Sequence, residues 1–364
     1  MWMRWSRGGG AGPVRRGPRL LLLAVLLLVG GHALLWRWAE QQMEHGLAVQ
    51  VAQWRSRGWT VAVGTPAWGG WPLHARLTVP DVALSGSGGP PGGVAWTAQR
   101  VVLDVALVHP RTLVVDIAGR QSLRLGPGPA LAFTAASAEA RVPLVPGVPP
   151  HSIDLVVAGW QTEPPAARLT AARVSLHLEE QPGAAQGEPA VSAVLDAADI
   201  TLPPAGAGRT WALGEHIASV AVEAALTGPL SRLPDPQARA EAWRDAGGTV
   251  AVRRLALRWG KLDLDGTATL ALDEALQPMG TATVRMSGQA ETLDALAGAH
   301  VLAPAAAQAA KAVLALLART PPGGGRPEVA VPLALQDRVL TMGRIPLLRL
   351  PLLLWPQLVW STAG

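Results

Sequence analysis

The chain of 364 residues has no cysteine, tyrosine or asparagine, a single phenylalanine (Phe133) and only two lysines, Lys261 and Lys311. Zero cysteines excludes disulfides, thiolate nucleophiles and cysteine metal sites. It leaves the compartment open, because an exported protein need not carry disulfides. The missing types mostly have AT-rich codons. A GC-rich bacterial genome therefore accounts for them, and for the 15 tryptophans and the arginine excess, without any functional cause. Charge is sparse as well, 16% of residues against an average of roughly 25%. Disorder driven by charge is thereby excluded, and a net +5 over this length is not a nucleic-acid signature. What is abundant is apolar residues at 49%, with 40 glycines and 32 prolines. So many turn formers suit short strands better than long helices. The length allows two ordinary domains at about 150 residues each.

A long hydrophobic run occurs at one place. Arg4, Arg7, Arg15, Arg16 and Arg19 precede Leu20 to Trp36, LLLLAVLLLVGGHALLW, and Arg37 closes it. This run is at the short end of what crosses the hydrocarbon core as a helix. Trp36 and Trp38 fall at the far interface, which indole prefers. A cleaved signal peptide is the competing reading, with Leu20–Val29 as its apolar region and Gly31-His32-Ala33 a poor cleavage site. Apolar residues continue past that site and favour an uncleaved anchor. Under either reading the arginines stay cytoplasmic and the rest is exported. The expected organisation is a basic cytoplasmic tail over 1–19, a transmembrane anchor over 20–36 and a helical connector over 37–57. A periplasmic β-rich region over 58–345 and an apolar, proline-containing tail over 346–364 follow. Pro346, Arg349, Pro351 and Pro356 interrupt that tail, so it reads as an extended segment packed on the fold, or one touching lipid or a partner.

Met43, Leu47, Val51 and Trp54 fall at helical spacing, with Glu40, Glu44 and Arg55 off the stripe, and Gly58 ends the connector. Beyond it the period is two. Leu73, Ala75, Leu77 and Val79 form one such face; Val101, Leu103, Val105 and Leu107 form another. The same alternation returns at Ile153–Val157, Val174–Leu178, Val220–Leu226, Leu255–Leu257, Leu262–Leu264, Ala268–Leu272, Ala282–Met286 and Val329–Leu335. It predicts sheet with one apolar and one wetted face. Glycine and proline clusters such as 86–93 and 203–208 read as turns within one region. Three helices are expected: one opened by Asp235-Pro236 and stopped by Gly247-Gly248, one over 290–299, and one from Pro304. Only Gln308, Lys311 and Arg319 mark a polar stripe on the third, which predicts a helix mostly buried against the sheet. The fold class is therefore mainly β: an N-terminal transmembrane helix, then a curved, largely antiparallel sheet with a few covering helices.

No catalytic, cofactor-binding or metal-ligating residue emerges. The eight histidines are scattered, and there is no HExxH, GxSxG or Walker loop. Asp263 and Asp265 share a strand face and read as a water-facing pair beside a hairpin rather than catalytic carboxylates. Arg253, Arg254, Arg258 and Lys261 lack the interleaved aromatics of a nucleic-acid surface. They read as a solvated face, with anionic headgroups as the alternative. Trp59, Trp68 and Trp71 read as large rings buried in a first hairpin turning at Gly69-Gly70, with an interfacial belt as the alternative.

Two stretches carry a resemblance. Gly58 to Gly86, GWTVAVGTPAWGGWPLHARLTVPDVALSG, resembles the opening of the alphaproteobacterial family of unknown function called DUF2125, with Gly70-Trp71-Pro72 at its Gly-aromatic-Pro turn. Leu257 to Gly280, LRWGKLDLDGTATLALDEALQPMG, is similar to the family's late motif, with Trp-Gly, an Asp-Gly turn, Leu-Asp and Pro-x-Gly. The likeness continues through Arg338–Gly343 and Pro346. It implies an anchor followed by paired strands and transfers no catalytic residue or cofactor. The late motif is also similar to segments of AsmA-like envelope proteins, whose sheets form lipid-carrying grooves. The resulting expectation is a non-enzymatic inner-membrane protein with most of its chain in the periplasm, binding or conducting lipid along an apolar sheet face. A scaffold for partner proteins of the envelope is the alternative, and a periplasmic hydrolase a third reading.

Overall fold

Neighbours in sequence are neighbours in space along nearly the whole chain. The structure is a computed structural model that describes residues 17–355, apart from 87–92, 118, 146, 147, 149, 207–209, 232, 234 and 321–325; the side chains of 17–24 are also outside the description. Most of the expected basic tail and residues 356–364 of the expected apolar tail therefore lie outside the described residues. Helix α1 (Gly17–Ser56) leads into β1 (Thr60–Ala62), β2 (Ala67–Gly69), β3 (His74–Gly86) and β4 (Val94–Ala106). Next come β5 (Thr112–Asp116), β6 (Gln121–Leu125), β7 (Leu131–Thr134), β8 (Ser137–Pro143), β9 (Ser152–Thr162), β10 (Thr170–Glu180), β11 (Pro189–Thr201) and β12 (His216–Thr227). Helix α2 (Pro236–Asp245) precedes β13 (Thr249–Trp259), β14 (Leu262–Leu272) and β15 (Pro278–Ser287). Helices α3 (Gln289–Gly298) and α4 (Pro304–Leu317) precede β16 (Glu328–Gln336), β17 (Val339–Met342) and β18 (Ile345–Arg349).

The strand pairs are all antiparallel, and from β9 onward each strand pairs with the next in the chain. Closer to the N-terminus, three ladder positions are each filled by two short strands laid end to end. β1 and β2 share the flank of β3, β5 and β6 that of β4, and β7 and β8 that of β9. Among the described residues no pairing joins β18 to β1, so the ladder is open. The protein is thus mainly β, with one large antiparallel sheet and a few helices.

The broken positions are parts of one fault. Asp81 in β3 has φ +48° and lies across from Gln99 in β4; next to them fall the gaps between β5 and β6 and between β7 and β8. The line continues through Gly159 in β9 (φ +60°), Ala172, Asp199 in β11 (φ +53°) and Ala218, where the β12–β13 register shifts. A residue in the left-handed region cannot hold the pleat, and such irregularities bend a strand. The apolar alternation slips by one residue on the same line: Val79 then Val82, Ala98 then Val101, Ala171 then Val174, Ile217 then Val220.

Cover is concentrated at the edges. Helix α1 ends at Ser56, before Gly58, and its connector half lies on β1 and β3. Val51 is buried there, Met43, Leu47 and Trp54 are half-buried, and beneath it Ala75, Leu77 and Val79 are sealed. Glu40 was expected off this stripe but is buried, with Arg37 at 3.4 Å, because it lies three residues before Met43 on the same helix face. Among the described residues no helix is long and apolar enough to cross a membrane; the first five side chains of the expected anchor, Leu20–Ala24, fall outside that set.

Helix α2 follows its signals. The Asp235 carboxylate accepts from the Ala238 N–H at 3.0 Å, Pro236 occupies the first turn, and Gly247 takes φ +73° past the end. Its Trp243 is buried and donates to the Thr227 carbonyl at 2.8 Å. Helix α4 departs from expectation. Only Ala307 is buried, whereas Leu316 is 87% exposed, because α3 and α4 pack mainly on each other and only touch β14 and β16. Residues read as the start of an apolar tail form edge strand β18. The chain after it is tied to the β14–β15 turn by Leu353 and Gln277, paired through N–H to Oε1 (2.9 Å) and Nε2 to carbonyl (3.0 Å).

Two glycines should be sensitive. A Cβ on Gly159 would stand 2.9 Å from the Ala136 Cβ in a left-handed backbone, and one on Gly248 would enter the Trp243 ring. Gly159→Ala should cost about 1–3 kcal/mol in urea unfolding and Gly248→Ala more. Unchanged midpoints would contradict the fault line and the Trp243 seat.

Candidate functional site

Strand register carries one side of the ladder across thirteen positions. Trp68, Leu77, Leu103, Val115, Ala140, Leu155, Leu176, Leu195, Val222, Leu255, Gly266, Val284 and Val331 are consecutive cross-strand partners, none of them polar. Beside them runs a second row, Ala138, Val157, Val174, Ala197, Val220, Leu257, Leu264, Met286 and Val329, two residues along each strand and so on the same face. The intervening residues face the other way and include Arg141, Asp154, His177, Glu223 and Arg254. His177 meets Asp154 there at 2.7 Å.

Burial along the ribbon is uneven. Leu77 is sealed under α1, and Val284 and Val331 are buried at the other end. Between them Leu155, Leu176, Leu195 and Val222 are half-buried, and Leu255 is exposed. The uncovered stretch over β9–β13 measures about 20 Å at the usual strand spacing. Past the fault the row Trp160, Ala171, Ile200, Ile217 and Trp259 edges the ribbon with indoles; Phe133 packs on Trp160 at 5.8 Å and Trp211 on Trp259 at 6.2 Å.

Comparison with known families is decisive at one level. The family described as "Uncharacterized protein conserved in bacteria (DUF2125)" matches residues 36–351, most of the chain. The chain belongs to DUF2125. No curated protein and no solved structure matches it, so the likeness to AsmA-like proteins is not shown.

Within this DUF2125 chain the motif residues have structural work. Gly70–Leu73 turns β2 into β3, with Gly70 at φ +91°. Trp59 and Trp68 are half-buried rather than buried, and Trp71 is 48% exposed, since its ring lies against α1 rather than under the sheet. The expected Asp265-Gly266 turn is not one. β14 runs straight through it, and the hairpin closes at Gly260-Lys261, where Gly260 takes φ +60°. Gly266 instead lets β14 approach β15, a Cβ there meeting the Thr283 carbonyl at 3.2 Å.

The polar candidates disperse. Asp263 is bound by Arg258 at 3.5 Å and Arg326 at 4.0 Å, and Arg253 reaches Glu223 at 3.9 Å, all on partly exposed side chains. His74 and Arg76 converge on Asp104 at 2.6 and 2.7 Å. Among the described residues no group of three or more His, Cys, Asp or Glu is placed to hold a metal. A hollow of about 780 Å³ opens at the fault, lined by Asp81, Gln99, Arg120, Gln121 and Ser122. Arg120 is paired with Glu163 at 2.6 Å, and the Ser122 hydroxyl with the Thr97 hydroxyl at 2.8 Å. Sequence reasoning found most ribbon strands but missed β8, whose apolar face is mostly alanine, and β11, where Val194 beside Leu195 blurs the alternation.

The open middle has an energetic signature. Leu77→Ala should cost about 2–5 kcal/mol in urea unfolding, and Leu195→Ala less than about 2 kcal/mol. An equal cost at both positions would mean that the ribbon is sealed throughout.

Proposed function

We propose that this DUF2125 protein is a membrane-anchored periplasmic protein of the bacterial envelope, without chemistry of its own, that binds or conducts lipid along the uncovered ribbon. The single observation carrying this reading is the half-buried row Leu155, Leu176, Leu195 and Val222, apolar on one face and backed by charge on the other. Contiguous apolar surface of this extent marks an interaction site. Its length of about 20 Å exceeds one leaflet, half of the roughly 30 Å hydrocarbon core. Anchoring is supported by the Leu20–Trp36 run and by Val25–Val29, each at least half exposed on α1. A helix apolar all round, with no protein against it, needs an apolar solvent.

The exposed Ile345, Leu347 and Leu348 of edge strand β18 favour a second reading, a scaffold that docks envelope proteins. The two differ in ligand. Full-length protein extracted from membranes should carry lipid detectable by mass spectrometry, and Leu176→Arg with Leu195→Arg should lose most of it while circular dichroism stays unchanged. Lipid-free wild-type protein, or equal lipid in the variant, would leave the scaffold reading.

A further inference from the structure

The first hairpin is fastened to α1 where the apolar run ends. The Trp36 indole N–H donates to the His74 carbonyl at 2.8 Å, and His32 Nε2 lies 2.5 Å from the Pro72 carbonyl. Trp71 packs against both, at 5.1 Å from the His32 ring and edge-on at 5.5 Å from Trp36. Arg37, the next residue, is exposed. One helical turn rises about 5.4 Å, so the Gly70–His74 turn is level with the last turn of the run to within that distance.

Two apolar side chains stand exposed at this end of the sheet, beside the exposed His109 and Arg111 of the β4–β5 turn. Leu73 is 60% exposed and Val108, in the β4–β5 turn, is 72% exposed. The two turns are held together by the Leu107 N–H on the Leu73 carbonyl at 3.0 Å. Trp71 presents an amphipathic ring between them and the helix, the geometry suited to a headgroup layer. Exposed Val25–Val29 and Leu34–Leu35 on α1 extend the same apolar surface.

We propose that this sheet end is a second membrane-contact element, with Trp71, Leu73 and Val108 entering the bilayer interface beside α1. The inference rests on the anchored reading and deepens it: the sheet is set down on the lipid rather than held away on a stalk. The covered edge of the ribbon at β3 then starts at the membrane surface.

The chain has no cysteine, so single substitutions can be spin-labelled in the full-length protein. Labels at Val29→Cys, Leu73→Cys, Val108→Cys and, as a reference at the other sheet end, Leu125→Cys would be read in phosphatidylethanolamine–phosphatidylglycerol vesicles. Collision with dissolved oxygen and with a water-soluble nickel chelate reports depth. Labels at Leu73 and Val108 should collide with the chelate several-fold less than the label at Leu125, while remaining open to oxygen. Chelate access equal to Leu125, with Val29 shielded, would overturn the contact and leave the anchor standing. Protection from both reagents would mean that protein covers the tip and would also overturn it. Chelate access at Val29 would remove the anchored reading and this one together.

Discussion

An antiparallel sheet with one oily side has to put something over that side, and among the described residues that cover lies at the two ends of the ladder. Helix α1 seals Ala75, Leu77 and Val79, while Val284, Val329 and Val331 are buried at the opposite end. Elsewhere the strands form a single layer among the described residues. The stability of the middle therefore comes from backbone ladders and from neighbours on the same face rather than from a second layer. The half-buried middle of the ribbon and the proposed ligand both follow from that shortage of cover.

Much of this is legible in the residues, and the failures are instructive. Period-two alternation identifies the strands because each has one wet side, and the α2 boundaries follow from Asp235, Pro236 and Gly247. Helix α4 misleads because alanine and leucine content reports apolarity, not what the helix meets; its neighbour turned out to be α3. The Asp265-Gly266 dipeptide misleads because a glycine inside a strand can serve a close approach as well as a turn. Polar residues do not point to the candidate ribbon because it is built from apolar side chains. What identifies it is register, and register across thirteen strand positions is not a local property of sequence.

The fault line has a local signature that reads naturally as noise. Each affected strand keeps its alternation, skips one residue and resumes. Seen in one strand the skip looks like imperfect patterning. Aligned by register, Asp81, Gly159 and Asp199 form one line. Such a line sets where the sheet bends and where the indole edge of Trp160 and Trp259 begins.

The meander has a consequence for how the molecule is made. From β9 onward every strand hydrogen-bonds to the one translated just before it, so no partner has to be awaited from a distant part of the chain. Apart from the helix-bearing connections before β13 and β16 these loop closures are short, and assembly can advance like a zipper behind the emerging polypeptide. At each moment the growing edge, not the finished interior, is the surface most open to mispairing with another chain.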